Sequence, residues 1–210
     1  LRQDNKIGDT LVATLSFRAL HQAGLMVDVL TGAAGADILQ GNPHVHHIHV
    51  FDAGEDLVRM AQSLRGQYDC IIDLGDFIDG QHIRFIRAFE AHHVLGINKP
   101  DIALYNLSID YQGYGQHISR RHQAMLHRLE IDATDFHYDL FIPAAAQQAA
   151  VHFMAKKPAP RRLIFNTHTA MSDKDLSASQ ILFLLELIHR QQPETDIVLL
   201  QARVAEQLQL

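Results

Sequence analysis

The chain has 210 residues, of which 47% are hydrophobic and 20% charged, enough to bury a sizeable core in the manner of an ordinary α/β protein. Its longest apolar stretch, near residues 181–188, is broken by Glu186 and falls short of the roughly 20 residues that span a bilayer, and the single cysteine, Cys70, rules out an internal disulfide. A formal charge of -6 with 15 histidines gives no sign of a nucleic-acid partner.

The chain opens on Leu1-Arg2-Gln3 without an initiator Met, which reads as the end of a strand entering a loop, so a truncated first strand is expected. No secretory leader pattern follows, and a cytoplasmic location fits. Leu11, Leu15 and Ala19 have helical spacing, and Gly24 supplies a left-handed stop, predicting a helix over 10–23 with Asp9 at its start. Strands are expected at 26–30 and, after the turn-forming Gly41-Asn42-Pro43, at 48–51, with a helix over 55–64. The run 69–74 is nearly all apolar, as in a strand covered on both faces. Ile83, Ile86 and Phe89 mark the next helix, and 93–97 the next strand. A loop rich in Tyr and Gly over 105–115 leads to a helix over 116–129 whose first turn carries His117, Arg120 and Arg121.

Lys156-Lys157-Pro158-Ala159-Pro160 reads as a linker, because two prolines interrupt both helix and sheet. Beyond it come a strand at 162–166, a polar loop to Asp175, a helix opening on the capping box Ser177-Ala178-Ser179-Gln180, and a strand at 196–200. Strands alternating with helices predict βα units on mainly parallel sheets, with ligands bound outside the carboxyl ends of the strands. The expected division is a Rossmann-like domain over 1–155 and, over 156–210, the linker and start of a second such domain.

Several side chains carry chemistry. In Asp4-Asn5-Lys6-Ile7-Gly8-Asp9-Thr10, a glycine and a carboxylate stand at a strand-to-helix turn, where backbone approaches a ligand closely. A helix cap is the commoner duty of such an aspartate, and both roles can coexist. Asp73 and Asp76 end a strand on the ligand side, and Asp79 follows, each either a ligand contact or a surface carboxylate. His44, His46, His47 and His49 cluster, with His47 and His49 on one side of a strand, but no third ligand accompanies them and no metal site is expected.

The segment from Arg2 to Leu20, with its Ile-Gly-Asp loop and leucine-rich helix, resembles the start of the heptosyltransferases that build the inner core of bacterial lipopolysaccharide, glycosyltransferase family 9. The resemblance continues, in order, through Gly41-Asn42-Pro43, Tyr68 to Leu74, His93 to Gly96, His117-Ile118-Ser119-Arg120, Asn166, Thr169 and Lys174. It implies a GT-B type α/β fold, two Rossmann-like domains, with acceptor determinants on the first and nucleotide-sugar determinants on the second. The implied activity is inverting transfer of heptose from ADP-heptose to the lipopolysaccharide core, without metal or other cofactor, by a cytoplasmic enzyme peripheral to the inner membrane. Asp9 matches the general base, Lys174 the donor-phosphate lysine and Thr169 a hydroxyl near the same phosphates, or else a turn residue; His117, Arg120 and Arg121 either meet an anionic acceptor or form a solvated basic face, and Lys6 either holds that acceptor or the donor diphosphate or is an exposed surface lysine. The segment Asp175-Leu176-Ser177 departs from the family's aromatic and proline after that lysine, which leaves open another nucleotide sugar or a degenerate binding or scaffold relative.

Overall fold

A computed structural model describes residues 2–3, 7–52, 54–76, 78–113, 115–167 and 175–200, with the backbone alone at 2–3. Contacts group the chain into two compact units, Leu1–Pro143 and Ala144–Leu210. The first holds β1 (Arg2–Gln3), α1 (Ile7–Gln22), β2 (Asp28–Thr31), α2 (Ala33–Leu39), β3 (His47–Val50), α3 (Leu57–Ser63), β4 (Cys70–Asp73), α4 (Gly80–Ala88), β5 (His93–Ile97), β6 (Leu107–Ile109) and α5 (Ser119–Arg128). Its strands form two parallel sheets, β1-β2-β3 and β4-β5-β6, with Arg2 opposite Leu30, Asp28 opposite His47, Cys70 opposite His93 and Leu95 opposite Leu107.

Alternation along the strands feeds two cores. Val29, Leu95 and Ile97 join Leu15, Phe17, Met125 and Leu126 in one cluster. Their neighbours Leu30 and Val94 join Phe85, Ile86 and Phe89 in the other. Successive side chains leave opposite faces of a strand, so apolar residues at consecutive positions demand helices on both sides. α1 is buried all round from Ala13 to Leu20, and its polar residues there find partners. Ser16 Oγ lies 2.8 Å from His122 Nδ1. Arg18 pairs with Asp139 and donates to the His137 carbonyl at 2.7 Å.

Local signals set several boundaries. Gly24, at φ +85°, lets Leu25 N donate to Leu20 O and Gly24 N to His21 O, the paired bonds that close a helix C-terminus. Asp56 caps α3 through the amides of Val58 and Arg59, and Asp79 caps α4 through His82 N at 2.7 Å. Three elements were not expected from the sequence: α2, α6 and β6, the last lying inside the Tyr- and Gly-rich loop. β6 is held by Asn98, which takes φ +53° after β5 and exchanges two side-chain hydrogen bonds with the Tyr111 backbone, at 2.7 and 2.8 Å.

The second unit comprises α6 (Ala144–Ala155), β7 (Arg161–Asn166), α7 (Ala178–Gln191) and β8 (Thr195–Leu200), with β7 and β8 parallel. The division after Pro143 places α6 with this unit rather than ahead of the 155/156 boundary read from the prolines. Arg162 of β7 explains the grouping, since it donates to the carbonyls of Met154 and Lys157 and pairs with Asp196 of β8 at 2.8 Å. The expected capping box is present, Gln180 N on Ser177 Oγ and Ser177 N on Gln180 Oε1. No helix among the described residues is long and apolar enough to cross a membrane.

Candidate active site

Parallel strands bring their carboxyl ends to one edge of each sheet, the edge at which open α/β sheets generally bind ligands, and the candidate residues of the first unit follow β1, β4, β5 and β6. Asp9 is exposed and belongs to the first turn of α1, because the helix starts at Ile7 rather than Thr10. A carboxylate there is favoured by the positive end of the helix dipole. Lys6, Thr169 and Lys174 lie outside the described residues.

The loop after β4 is built around Asp73, which is 2% exposed. Its Oδ2 accepts from Lys99 Nζ at 2.9 Å and Tyr105 OH at 2.6 Å and lies 2.8 Å from His82 Nε2, while Oδ1 accepts from Gly75 N at 3.1 Å. Burial alone pushes the Asp73 carboxyl up, but the His82 hydrogen bond, the Lys99 charge and the Tyr105 hydroxyl together hold it well below the usual carboxylate range. The Tyr105 hydroxyl is pushed up in turn, by burial and by its bond to the Asp73 carboxylate. Lys99, 3% exposed, also donates to Gly75 O at 2.7 Å, fixing the path of the loop. Gly96 of β5 makes room: a Cβ there would meet Tyr105 Cδ1 at 2.4 Å and Lys99 Cδ at 2.8 Å.

The three basic residues at the start of α5 are used differently. His117 is exposed, with Nδ1 2.8 Å from Ser119 Oγ and accepting from Ser119 N at 3.2 Å, so it helps to close the helix N-terminus. Arg120 is exposed and donates to Gln123 Oε1 at 2.8 Å. Arg121 turns inward, and both of its terminal nitrogens bind the exposed carboxylate of Asp76. Its charge bears on His122, whose imidazole is driven down to about 4, first by burial and then by Arg121.

Asp73 is therefore a buried anchor whose oxygens already hold four donors, Asp76 is held by Arg121, and Asp9 is an exposed carboxylate in the first turn of α1. The sequence singled out Asp73 and Asp76 but not Lys99, Tyr105 or His82. Only the position of Lys99 just after β5 hinted at a role on the ligand edge.

The histidine cluster has another arrangement. His47 and His49 share a side of β3, their ring centroids 4.4 Å apart. His46 lies 3.0 Å from Asp28 Oδ1, and His49 lies 2.7 Å from Tyr68 OH, which donates to Asp28 Oδ2 at 2.8 Å. Among the described residues no three His, Cys, Asp or Glu side chains converge as metal ligands.

No protein-family profile and no curated protein matches the sequence. Solved structures do match. The glycosyl transferase family 9 protein of Veillonella parvula superposes with a TM-score of 0.72 at 15% identity, over 94% of this chain and 60% of that one. The Escherichia coli ADP-heptose LPS heptosyltransferase II gives 0.68 at 15%, over 92% and 61%, and the E. coli heptosyltransferase WaaC with ADP gives 0.64 at 17%, over 96% and 66%. This chain thus spans about three-fifths of the length of the structures it resembles. Its parallel α/β units have the GT-B type fold found in these family 9 and heptosyltransferase structures.

Proposed function

We propose that this chain is part of an inverting glycosyltransferase that moves heptose from ADP-heptose to the inner core of lipopolysaccharide, with Asp9 as general base. The observation that carries the reading is the exposed Asp9 carboxylate in the first turn of α1, just after β1, in a fold like that of two heptosyltransferases.

The chemistry asks little more of the acceptor side. A sugar hydroxyl is a poor nucleophile, so a carboxylate within hydrogen-bond reach takes its proton as the oxygen attacks the anomeric carbon. Attack comes from the face opposite ADP, the C–O bond to the diphosphate breaks, and the configuration inverts through an oxocarbenium-like transition state. The departing ADP carries the electron pair and needs positive charge. Lys174, the Thr169 hydroxyl and the N-terminus of α7 are the groups assigned to it. Lys6, His117 and Arg120 are assigned to the phosphates or carboxylates of the acceptor, and Arg121 acts through Asp76. The enzyme works without metal, on the cytoplasmic side of the inner membrane where its acceptor is exposed.

The test is donor and acceptor selectivity of the full-length protein. Calorimetry with ADP-heptose, ADP-hexose and UDP-hexose, followed by transfer assays on truncated core acceptor, is expected to show tightest binding and transfer for ADP-heptose. Preference for another nucleotide sugar would overturn the donor assignment. Donor binding without transfer to any core acceptor would overturn the reaction.

A further inference from the structure

The histidines at 44–49 do not stay together in the fold. His46 and His49 engage Asp28 and Tyr68, whereas His44 meets His21 in the last turn of α1. The two Nδ1 atoms stand 3.3 Å apart and the ring centroids 5.3 Å. That separation lies beyond the roughly 2.7–3.2 Å of a good N–H···O bond. It fits the edge of a coordination tetrahedron, since two nitrogens each about 2.0–2.1 Å from one Zn²⁺ are about 3.3–3.4 Å apart.

The surroundings of His44 suit a ligand. Its amide donates to Asn42 Oδ1 at 2.9 Å in the turn before β3, and the Phe141 ring stands edge-on to the imidazole with centroids 6.4 Å apart. Its other ring nitrogen, Nε2, lies 3.9 Å from Asp139 Oδ2. That oxygen is buried and has no hydrogen-bond partner among the described residues, while Oδ1 of the same carboxylate is fixed by Arg18. A histidine that binds a metal through one nitrogen characteristically donates the other N–H to a carboxylate, which sets the tautomer and raises the basicity of the ligating atom. With the proton on Nε2 toward Asp139, the Nδ1 lone pair of His44 is turned to His21. Burial, then the His21 and Arg18 charges, outweigh the pull of Asp139 and hold the His44 imidazole below its ordinary range, which keeps it neutral at pH 7 as a ligand must be. His21 ends a 16-residue helix, where the negative end of the helix dipole favours a cation.

We propose that His21 Nδ1 and His44 Nδ1 together bind one divalent transition-metal ion such as Zn²⁺, with Asp139 as the outer acceptor and water in the remaining positions. Imidazole suits Zn²⁺, Cu²⁺ and Ni²⁺ alike, and the exposed His21 leaves the site open to solvent. The ion ties the end of α1 to the turn before β3 and, through Asp139, to the segment that Thr14 and Arg18 hold against the same helix. Asp9 stands at the other end of α1, twelve residues and about 18 Å along the axis from His21, so the ion takes no part in the proposed transfer and the inference does not rest on that reading.

The test uses the full-length protein, freed of metal by chelation and dialysis and titrated with ZnCl₂ in a calorimeter. His21→Ala, a change at an exposed position, and His44→Ala are each expected to lose one binding event that the wild type shows. Asp139→Asn is expected to weaken that event about 10–100-fold. Identical binding by wild type and His21→Ala, or no uptake by the wild type up to about 1 mM Zn²⁺, would overturn the proposal. With Cu²⁺ as a second probe, the paramagnetic resonance signal that disappears in His21→Ala is expected to show coupling to two imidazole nitrogens. Coupling to one nitrogen or none would mean that the two rings share a hydrogen bond and no ion.

Discussion

His122 gives the most quantitative prediction. Its imidazole is 5% exposed, stands 2.8 Å from the Ser16 hydroxyl and sits beside Arg121, and its pKa falls from 6.5 to about 4. The unfolded chain takes up a proton near pH 6.5 while the folded chain refuses it until about 4, so stability rises with pH across that window. At about 1.4 kcal/mol per unit, the contribution lost between pH 7 and pH 5 is about 2 kcal/mol, approaching about 3 kcal/mol near pH 4. Asp73 contributes in a different window. Its folded pKa is depressed, so its contribution is intact above the unfolded value of 3.8 and lost only as pH falls through the lower folded value. Urea unfolding of the wild type and of His122→Asn, which can still reach Ser16, isolates the effect at pH 7 and pH 5. The wild type is expected to lose about 2 kcal/mol more than the variant over that interval. Parallel losses in the two proteins would refute the claim that His122 is buried neutral.

The Asp73 cluster supports two further predictions. Lys99→Met leaves the buried Asp73 carboxylate without its cation and is expected to cost about 3–5 kcal/mol in urea unfolding at pH 7; a loss under about 1 kcal/mol would mean the pair is not desolvated. Gly96→Ala drives a methyl group into Tyr105 and Lys99, and a cost of about 1–3 kcal/mol is expected, relieved when Tyr105 is also cut to Leu. Strictly additive losses in the double variant would contradict that packing.

The parts of this fold that can be read from sequence are those whose cause is local. Gly24 closes α1 and Ser177 opens α7 with bonds that reach at most five residues along the chain, and both were expected from residue type and spacing. β6 was missed because three strand residues among Tyr and Gly give no usable alternation, and its position depends on Asn98, 13 residues before its hydrogen-bond partner Tyr111. α2 was missed because its first turns, Ala33-Ala34-Gly35-Ala36, carry no apolar stripe. It packs there because Gly35 lets the helix close onto Thr31, where a Cβ would stand 2.0 Å from the hydroxyl. At the candidate site, Asp9 and Asp73 could be picked out by their places at strand ends. Lys99, 26 residues from Asp73, and Ser16, 106 residues from His122, find their partners only through the fold. The inward turn of Arg121 was equally hidden, since nothing in His117 to Arg121 distinguishes an arginine bound to Asp76 from one exposed to an acceptor.

In the proposed reaction Asp9 takes the proton from the acceptor hydroxyl. The most direct measurement is single-turnover transfer by full-length Asp9→Asn with saturating ADP-heptose and core acceptor, alongside ADP-heptose binding by calorimetry. A rate lower by about 10²–10⁴ is expected, the usual contribution of a positioned general base, with the donor dissociation constant within about twofold of wild type. Transfer within tenfold of wild type would contradict it.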